Sequence, residues 1–139
     1  MTEKVLIVDD DEAFRRILAE RMRNRQLEVQ TASSAAEALE LIEKETFDAV
    51  LLDLMMPEMD GIEALKRMLE KRPETQVIFL TGHPSVSQGV EAMKLGALDF
   101  IPKPVDVNEL TEKIRQARAG RLLFVEKKNR EKLKRLLGE

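Results

Sequence analysis

The chain has no cysteine and a single histidine, His83, so it can build neither a disulfide framework nor a thiolate or multi-histidine zinc centre. It also lacks any apolar run approaching the ~20 residues that a membrane-spanning helix needs. Its start, Met1-Thr2-Glu3-Lys4, leads straight into a strand-like segment with no apolar signal segment. A soluble, cytoplasmic protein is the expectation. Length is equally restrictive: 139 residues, 43% of them hydrophobic, fit one core and leave no room for a second catalytic domain. No internal repeat and no low-complexity segment breaks the pattern.

Charge of one sign does not dominate either. The net value of -3 argues against bulk attraction to nucleic acid, but the charge is unevenly placed. After Ala119, seven lysines and arginines stand against three glutamates, a formal +4, which leaves -7 for the rest. The chain thus divides into an acidic body, 1–119, and a basic extension, 120–139. From Arg121 to Leu137 the extension has no glycine or proline, and Leu122, Val125, Leu133 and Leu136 fall roughly on one helical stripe with Asn129 between them. It reads as helical, either continuing the preceding helix or starting afresh after Gly120. It could serve as a linker, a dimerisation helix or a terminal appendage. It contains no helix-turn-helix, so direct nucleic-acid binding is not expected.

What the chain does have is alternation. Val5–Val8, Leu27–Thr31, Ala49–Leu52, Val77–Leu80 and Leu98–Ile101 read as short strands. Between them run segments with helical spacing: Phe14, Ile17, Leu18 and Met22; Ala38, Leu39 and Ile42, preceded by the capping box Ser34-Ala-Ala-Glu37; Ile62, Leu65 and Leu69, facing inward; Val86, Val90 and Met93; and finally Leu110, Ile114 and Ala117. The remaining methionines, including Met22, Met68 and Met93, are expected in core packing. Five strand-helix units with short connections imply an α/β fold with a parallel sheet, helices on both faces and right-handed crossovers. Neither a sandwich nor a bundle competes.

Chemistry gathers at the strand ends. Asp9 and Asp10 follow the first strand and Asp53 the third, while Thr81 follows the fourth and Lys103 comes after Phe100-Ile101-Pro102. In open α/β sheets that edge is where ligands bind. Asp11 and Glu12 read as an acidic helix start favoured by the helix dipole. Singly, Thr81-Gly82 is an ordinary turn and Lys103 a surface lysine; their joint placement with the acids is what points to a site. Hard oxygen donors without nitrogen or sulfur suit magnesium, with manganese as a substitute. A carboxylate can also act as a nucleophile toward phosphorus, and a hydroxyl and a cation would then neutralise the transferred group. Three clustered carboxylates should disfavour one another's ionisation until a divalent cation is present.

Val8-Asp9-Asp10-Asp11, Leu52-Asp53-Leu54-Met55-Met56-Pro57-Glu58-Met59-Asp60-Gly61, Leu80-Thr81-Gly82 and Asp99-Phe100-Ile101-Pro102-Lys103-Pro104 resemble the receiver domain of two-component response regulators, over about Lys4 to Ala119. The resemblance implies a flavodoxin-like sheet of order 2-1-3-4-5, with the basic segment as a C-terminal helical extension. It implies that Asp53 accepts a phosphoryl group from a histidine kinase or a histidine phosphotransfer protein, and that Asp9, Asp10, Asp53 and the Met55 backbone carbonyl hold Mg²⁺. Thr81 and Lys103 would grip the phosphoryl oxygens, Thr81 and Phe100 would form the switch, and the Lys103-Pro104 bond would be cis. The output surface would comprise the fourth helix, fifth strand and fifth helix, and this surface or the C-terminal helix could support a homodimer. Met55 and His83, two residues beyond Asp53 and Thr81, border the path of hydrolytic water and are expected to tune the phosphoryl lifetime. For His83 a solvated loop histidine is an equal reading, and for Phe100 a half-buried aromatic. Such a protein is a phosphoacceptor switch, not an enzyme. Two rivals stand beside it. A phosphoaspartyl-type phosphohydrolase usually needs a second acid two residues after the nucleophile, where this chain has Met55. A phosphorylation-independent interaction module normally lacks part of the site, which here is complete in sequence.

Overall fold

A computed structural model describes residues 2–138 as ten elements in strict alternation: β1 (Lys4–Val8), α1 (Glu12–Asn24), β2 (Glu28–Ala32), α2 (Ala35–Lys44), β3 (Ala49–Asp53), α3 (Gly61–Lys71), β4 (Val77–Thr81), α4 (Val86–Lys94), β5 (Asp99–Pro102) and α5 (Val107–Leu136). Met1 and Glu139, the outermost residues of the expected body and extension, lie outside the described residues. All strand pairs are parallel and the order is β2-β1-β3-β4-β5, the flavodoxin-like arrangement. The strands begin within one residue of the positions read from sequence. The differences matter at two ends, because β3 and β4 each run one residue further and take in Asp53 and Thr81.

The apolar runs form strands because they are buried on both faces. Leu6, Val8, Val50, Leu52, Val77 and Phe79 enter a core shared with α2, α3 and α4. Their neighbours Val5, Ile7, Leu51, Ile78 and Leu80 enter a second core with α1 and α5. Each such side chain contributes about 1.5–3 kcal/mol when fully buried, so β1, β3 and β4 fix the positions of their own ends.

Helix starts are set by side-chain caps. Asp11 accepts from the Phe14 N–H at 3.1 Å, and Asp60 from the Glu63 N–H at 2.8 Å. The α2 cap departs from the expected reciprocal box. Ser34 does accept from the Glu37 N–H at 3.2 Å, but Glu37 returns to the N–H and hydroxyl of Ser33, one residue earlier.

Met22 and Met68 are fully buried, whereas Met93 is 47% exposed and so is not core packing. The cause is the way α4 sits. It buries Ala92 and brings Gly89 against the Phe100 ring, where an added Cβ would lie 3.6 Å from the nearest ring atom, so its large side chains Val86, Val90 and Met93 face outward. Likewise α1 buries Leu18, Ala19 and Met22 and leaves Ile17 exposed. In α3, Ala64, Leu65 and Met68 are buried while Ile62 and Leu69 are partly so.

The basic extension continues α5 without a break through Gly120. A Cβ at Gly120 would stand 3.2 Å from the Gln76 Oε1, and at the next position Arg121 donates from Nε and Nη2 to Asp48 Oδ1, at 3.2 and 2.8 Å. The other Asp48 oxygen accepts from the Lys4 N–H at 2.8 Å. The first turn of the extension is thereby tied to the amino-terminal edge of the sheet, opposite the strand ends that carry the acids. Beyond it Leu122, Leu133 and Leu136 are exposed. Among the described residues no helix is long and apolar enough to cross a membrane.

Candidate functional site

Parallel strands bring their carboxyl ends to one edge. Val8 of β1 pairs with Leu52 of β3, which places Asp9 and Asp53 side by side, and Asp53 lies opposite Leu80, next to Thr81. The Lys103 N–H donates to the Thr81 carbonyl at 2.7 Å, so the residue after β5 is pinned to the end of β4.

Within this edge one carboxylate oxygen from each of Asp9, Asp10 and Asp53 lies within 4.8 Å of the others. Asp9 and Asp53 are buried and Asp10 is exposed, so the cluster has two fixed walls and an open rim. Asp9 is held from several sides. Its Oδ1 accepts from the Asp11 N–H at 2.9 Å, its Oδ2 from Lys103 Nζ at 2.8 Å, and its carbonyl from Arg15 Nη1 at 2.7 Å. Lys103 Nζ also stands 3.9 Å from Asp53 Oδ1 and 4.0 Å from the centroid of the Phe14 ring. The Lys103-Pro104 bond is cis.

The Asp53 carboxyl is pushed up from 3.8 to about 6. Burial is the largest cause, followed by the Asp9 charge, with Asp10 adding to both; Lys103 and the Met55 N–H act in the opposite direction. The mutual repulsion expected from sequence is therefore present but second to desolvation. The donor set suits a hard divalent cation on its own chemistry. It offers carboxylate oxygens only, and three carboxylates against one ammonium leave a formal -2 for a cation to balance.

Around this centre the other expected residues are placed as follows. Thr81 is buried, and its hydroxyl accepts from the His83 N–H at 3.1 Å. The His83 side chain is exposed. Met55 follows β3 with its side chain 57% exposed, lining a cleft with Asp10, Met56 and Lys66. Phe100 lies on β5, with β4 between it and the Asp53 strand, half-buried, with its ring 6.2 Å from that of Phe79. It also lines a largely apolar groove of about 810 Å³ with Val86, Val90 and Met93 of α4. Asp9, Asp10, Asp53 and Lys103 thus form one cluster, Thr81 adjoins it, and Phe100 and His83 stand apart from the acids.

Two partners of the site were not legible as such. Arg15 reads as a solvent-facing helix residue but holds the Asp9 carbonyl, and Phe14 reads as core-facing but also carries Lys103 on its face. Only a cationic residue one turn past the acidic start hinted at the first. Nothing local hinted at the second.

The family model of the response regulator receiver domain matches residues 5–115. Over 137 residues the chain is 35% identical to the response regulator protein PilR of Pseudomonas aeruginosa, covering 99% of this chain and 30% of that protein. It is 40% identical over 114 residues to the regulatory protein AtoC of Escherichia coli, covering 82% of this chain and 25% of AtoC. The chain therefore spans less than a third of the length of these relatives. Among solved structures, a CheY-like response regulator receiver domain protein from Methanospirillum hungatei superposes with a TM-score of 0.81 at 34% identity, covering 87% of this chain and 97% of that one.

Proposed function

The chain belongs to the response regulator receiver family of two-component systems, and from that membership we propose that it is a phosphoacceptor switch in which Asp53 takes a phosphoryl group from a phosphohistidine donor. The observation that carries this reading is the buried Asp53 carboxylate at the end of β3, beside Asp9 and Asp10 and 3.9 Å from the Lys103 ammonium. In the transfer an Asp53 carboxylate oxygen forms a bond to phosphorus while the bond from phosphorus to the donor's imidazole nitrogen breaks, and the electron pair stays with that nitrogen. Lys103 balances charge on the phosphoryl oxygens and the Thr81 hydroxyl donates to them. Asp9 keeps Lys103 at the site beforehand. Asp9, Asp10, Asp53 and the Met55 carbonyl would hold magnesium, or manganese in its stead, and the bound ion would supply further charge neutralisation on the phosphoryl group.

The protein is then a participant in the transfer and not a turnover enzyme, and its partners are a histidine kinase or a histidine phosphotransfer protein. Turning the Thr81 hydroxyl toward the phosphoryl group vacates space for Phe100, and the surface of α4, β5 and α5 changes as a result. A phosphoryl group can bias two such states only by contacts it makes in one of them, which is the role given to Thr81. An output partner or a second copy would read that surface or the α5 extension. Met55 offers no strong hydrogen bond to water, which favours a long-lived acyl phosphate, and His83 borders the same path. A cytoplasmic location goes with this reading.

The test is intact mass after incubation with Mg²⁺ and acetyl phosphate, beside an Asp53→Asn variant and a magnesium-free control. One added phosphoryl group in the wild type with metal, and in neither control, is the expected result. Turnover of a generic phosphomonoester would instead favour a phosphohydrolase. No mass gain together with no beryllofluoride binding would favour an interaction module that works without phosphorylation.

A further inference from the structure

We infer that Phe14 is a positioning residue for phosphoryl transfer, its ring face serving as the seat on which the Lys103 ammonium is held and from which it moves between Asp9 and the group on Asp53. The inference rests on the phosphoacceptor reading of Asp53.

Three observations carry it. First, Lys103 Nζ lies 4.0 Å from the Phe14 ring centroid, well inside the ~6 Å within which a cation is attracted by a ring face. Second, the backbone that carries the ring is anchored and the ring itself is packed. The Phe14 N–H is held by Asp11 in the first turn of α1, and the side chain packs onto the core that α1 shares with α5, as do Val105 and Val107. Third, an apolar cavity of about 400 Å³ borders the pair, lined by Phe14, Ile17, Val105, Val107 and Lys103 itself. Removing the ring would open the ammonium to this space and to water.

The geometry explains why an ion pair alone is a poor seat for this lysine. At rest the ammonium is 2.8 Å from Asp9 and 3.9 Å from Asp53, so its direct hydrogen bond goes to the carboxylate that does not accept the phosphoryl group. During transfer it must serve oxygens beyond Asp53. An attraction to a ring face is broad and shallow, and no single atom defines it. The ammonium can slide across it toward Asp53 without first being hydrated from behind. An aliphatic side chain at position 14 would fill the same space but offer no negative face, which makes the electrostatic role separable from packing.

The experiment uses the full chain with phenylalanine 14 replaced by mono-, di- and trifluorinated phenylalanine, which weakens the ring face stepwise at nearly constant shape, together with Phe14→Leu and Phe14→Tyr. The readouts are the rate of phosphorylation by acetyl phosphate with Mg²⁺, followed by intact mass, and the ring-current shift of the Lys103 ε-methylene protons. The rate should fall with each fluorine, by roughly three- to tenfold across the series, while the thermal midpoint stays constant. Tyrosine should stay near the wild type and leucine should match the trifluorinated chain. A flat rate across the fluorinated series, with the wild type phosphorylated normally, overturns the role of Phe14 and leaves the acceptor reading intact. A wild type that takes up no phosphoryl group overturns the acceptor reading and this one with it. The fluorinated series keeps the test decisive even where Phe14→Leu fails to fold.

Discussion

Replacing Asp53 by asparagine should stabilise the metal-free protein near neutral pH. The Asp53 carboxyl titrates at about 6 in the folded chain against an ordinary 3.8, so between those values the folded state binds more protons than the unfolded one. Stability is therefore lost as pH rises through that window and levels off above about 6. Asparagine keeps the shape and removes the charge. A move from 3.8 to about 6 corresponds to a ceiling of about 3 kcal/mol. Asp10 opens the rim to water, and screening there reduces the expected gain to about 2 kcal/mol. For a chain of this size that raises the thermal midpoint by roughly 8 °C.

The assay is urea or thermal unfolding of both proteins in a chelator at pH 7.5 and pH 4.5. At the lower pH the wild-type carboxyl is mostly protonated when folded, so only about a third of the difference should remain. Adding magnesium at pH 7.5 should narrow the gap from the wild-type side, because the cation binds the folded site and compensates the same repulsion. An asparagine variant no more stable than the wild type at pH 7.5, or a gap equal at both pH values, would refute the argument that the folded site suppresses ionisation of Asp53.

Gly61→Ala should cost about 2 kcal/mol in urea unfolding, since its Cβ would meet the Leu54 Cα and Phe79 Cε1 at 2.8 Å and the Asp53 carbonyl at 3.0 Å; a loss under about 0.5 kcal/mol would mean that the segment after β3 yields easily. Arg121→Ala should also cost about 2 kcal/mol, because the buried Asp48 loses two donors, and a double-mutant cycle with Asp48→Asn measures the coupling; additive losses would show that the contact contributes nothing. Thr81→Ala should still gain a phosphoryl group by mass while its phosphorylated spectrum stays close to the unphosphorylated form; a match to the wild-type active spectrum would remove Thr81 from the switch. Met55→Asn should shorten the phosphoryl half-life measured by mass over time, and an equal or longer half-life counts against Met55 as a brake on hydrolysis.

The strands and the acid edge were legible because they depend on local composition. A buried parallel strand reads as a short apolar run, and a polar residue at its end has one place to go, so Asp9, Asp53 and Thr81 could be put on one edge before any contact was known. Helix α4 was less legible for a physical reason. Val86, Val90 and Met93 mark a helical stripe by hydropathy, yet it is the small residues that let this helix approach Phe100, with Gly89 against the ring and Ala92 buried, so the large apolar groups end outside. Pairings distant in sequence were legible only in part. Lys103 could be put on the acid edge, but not its contact with Asp9 across 94 positions, and the meeting of Arg121 with Asp48 across 73 left no trace.

These distant pairings decide what a charge change at Asp53 can move. β3 is buried along its whole length, with Asp53 at one end; the residue before its other end, Asp48, is held by Arg121 and the Lys4 N–H. A strand anchored at its start and packed on both faces resists shifting to accommodate a new dianion, because any displacement would break the Asp48 contacts or open the two cores. The response has to pass to side chains with freedom to move. The Thr81 hydroxyl accepts from the His83 N–H in an exposed loop, and Phe100 is half-buried beside an open apolar groove under α4. Lys103 has a second carboxylate within 3.9 Å. On the proposed reading the rigid frame therefore directs the signal toward α4 and β5. The same Arg121 contact that holds β3 also fixes the first turn of the α5 extension, so a change at that surface meets a helix whose root cannot swing freely.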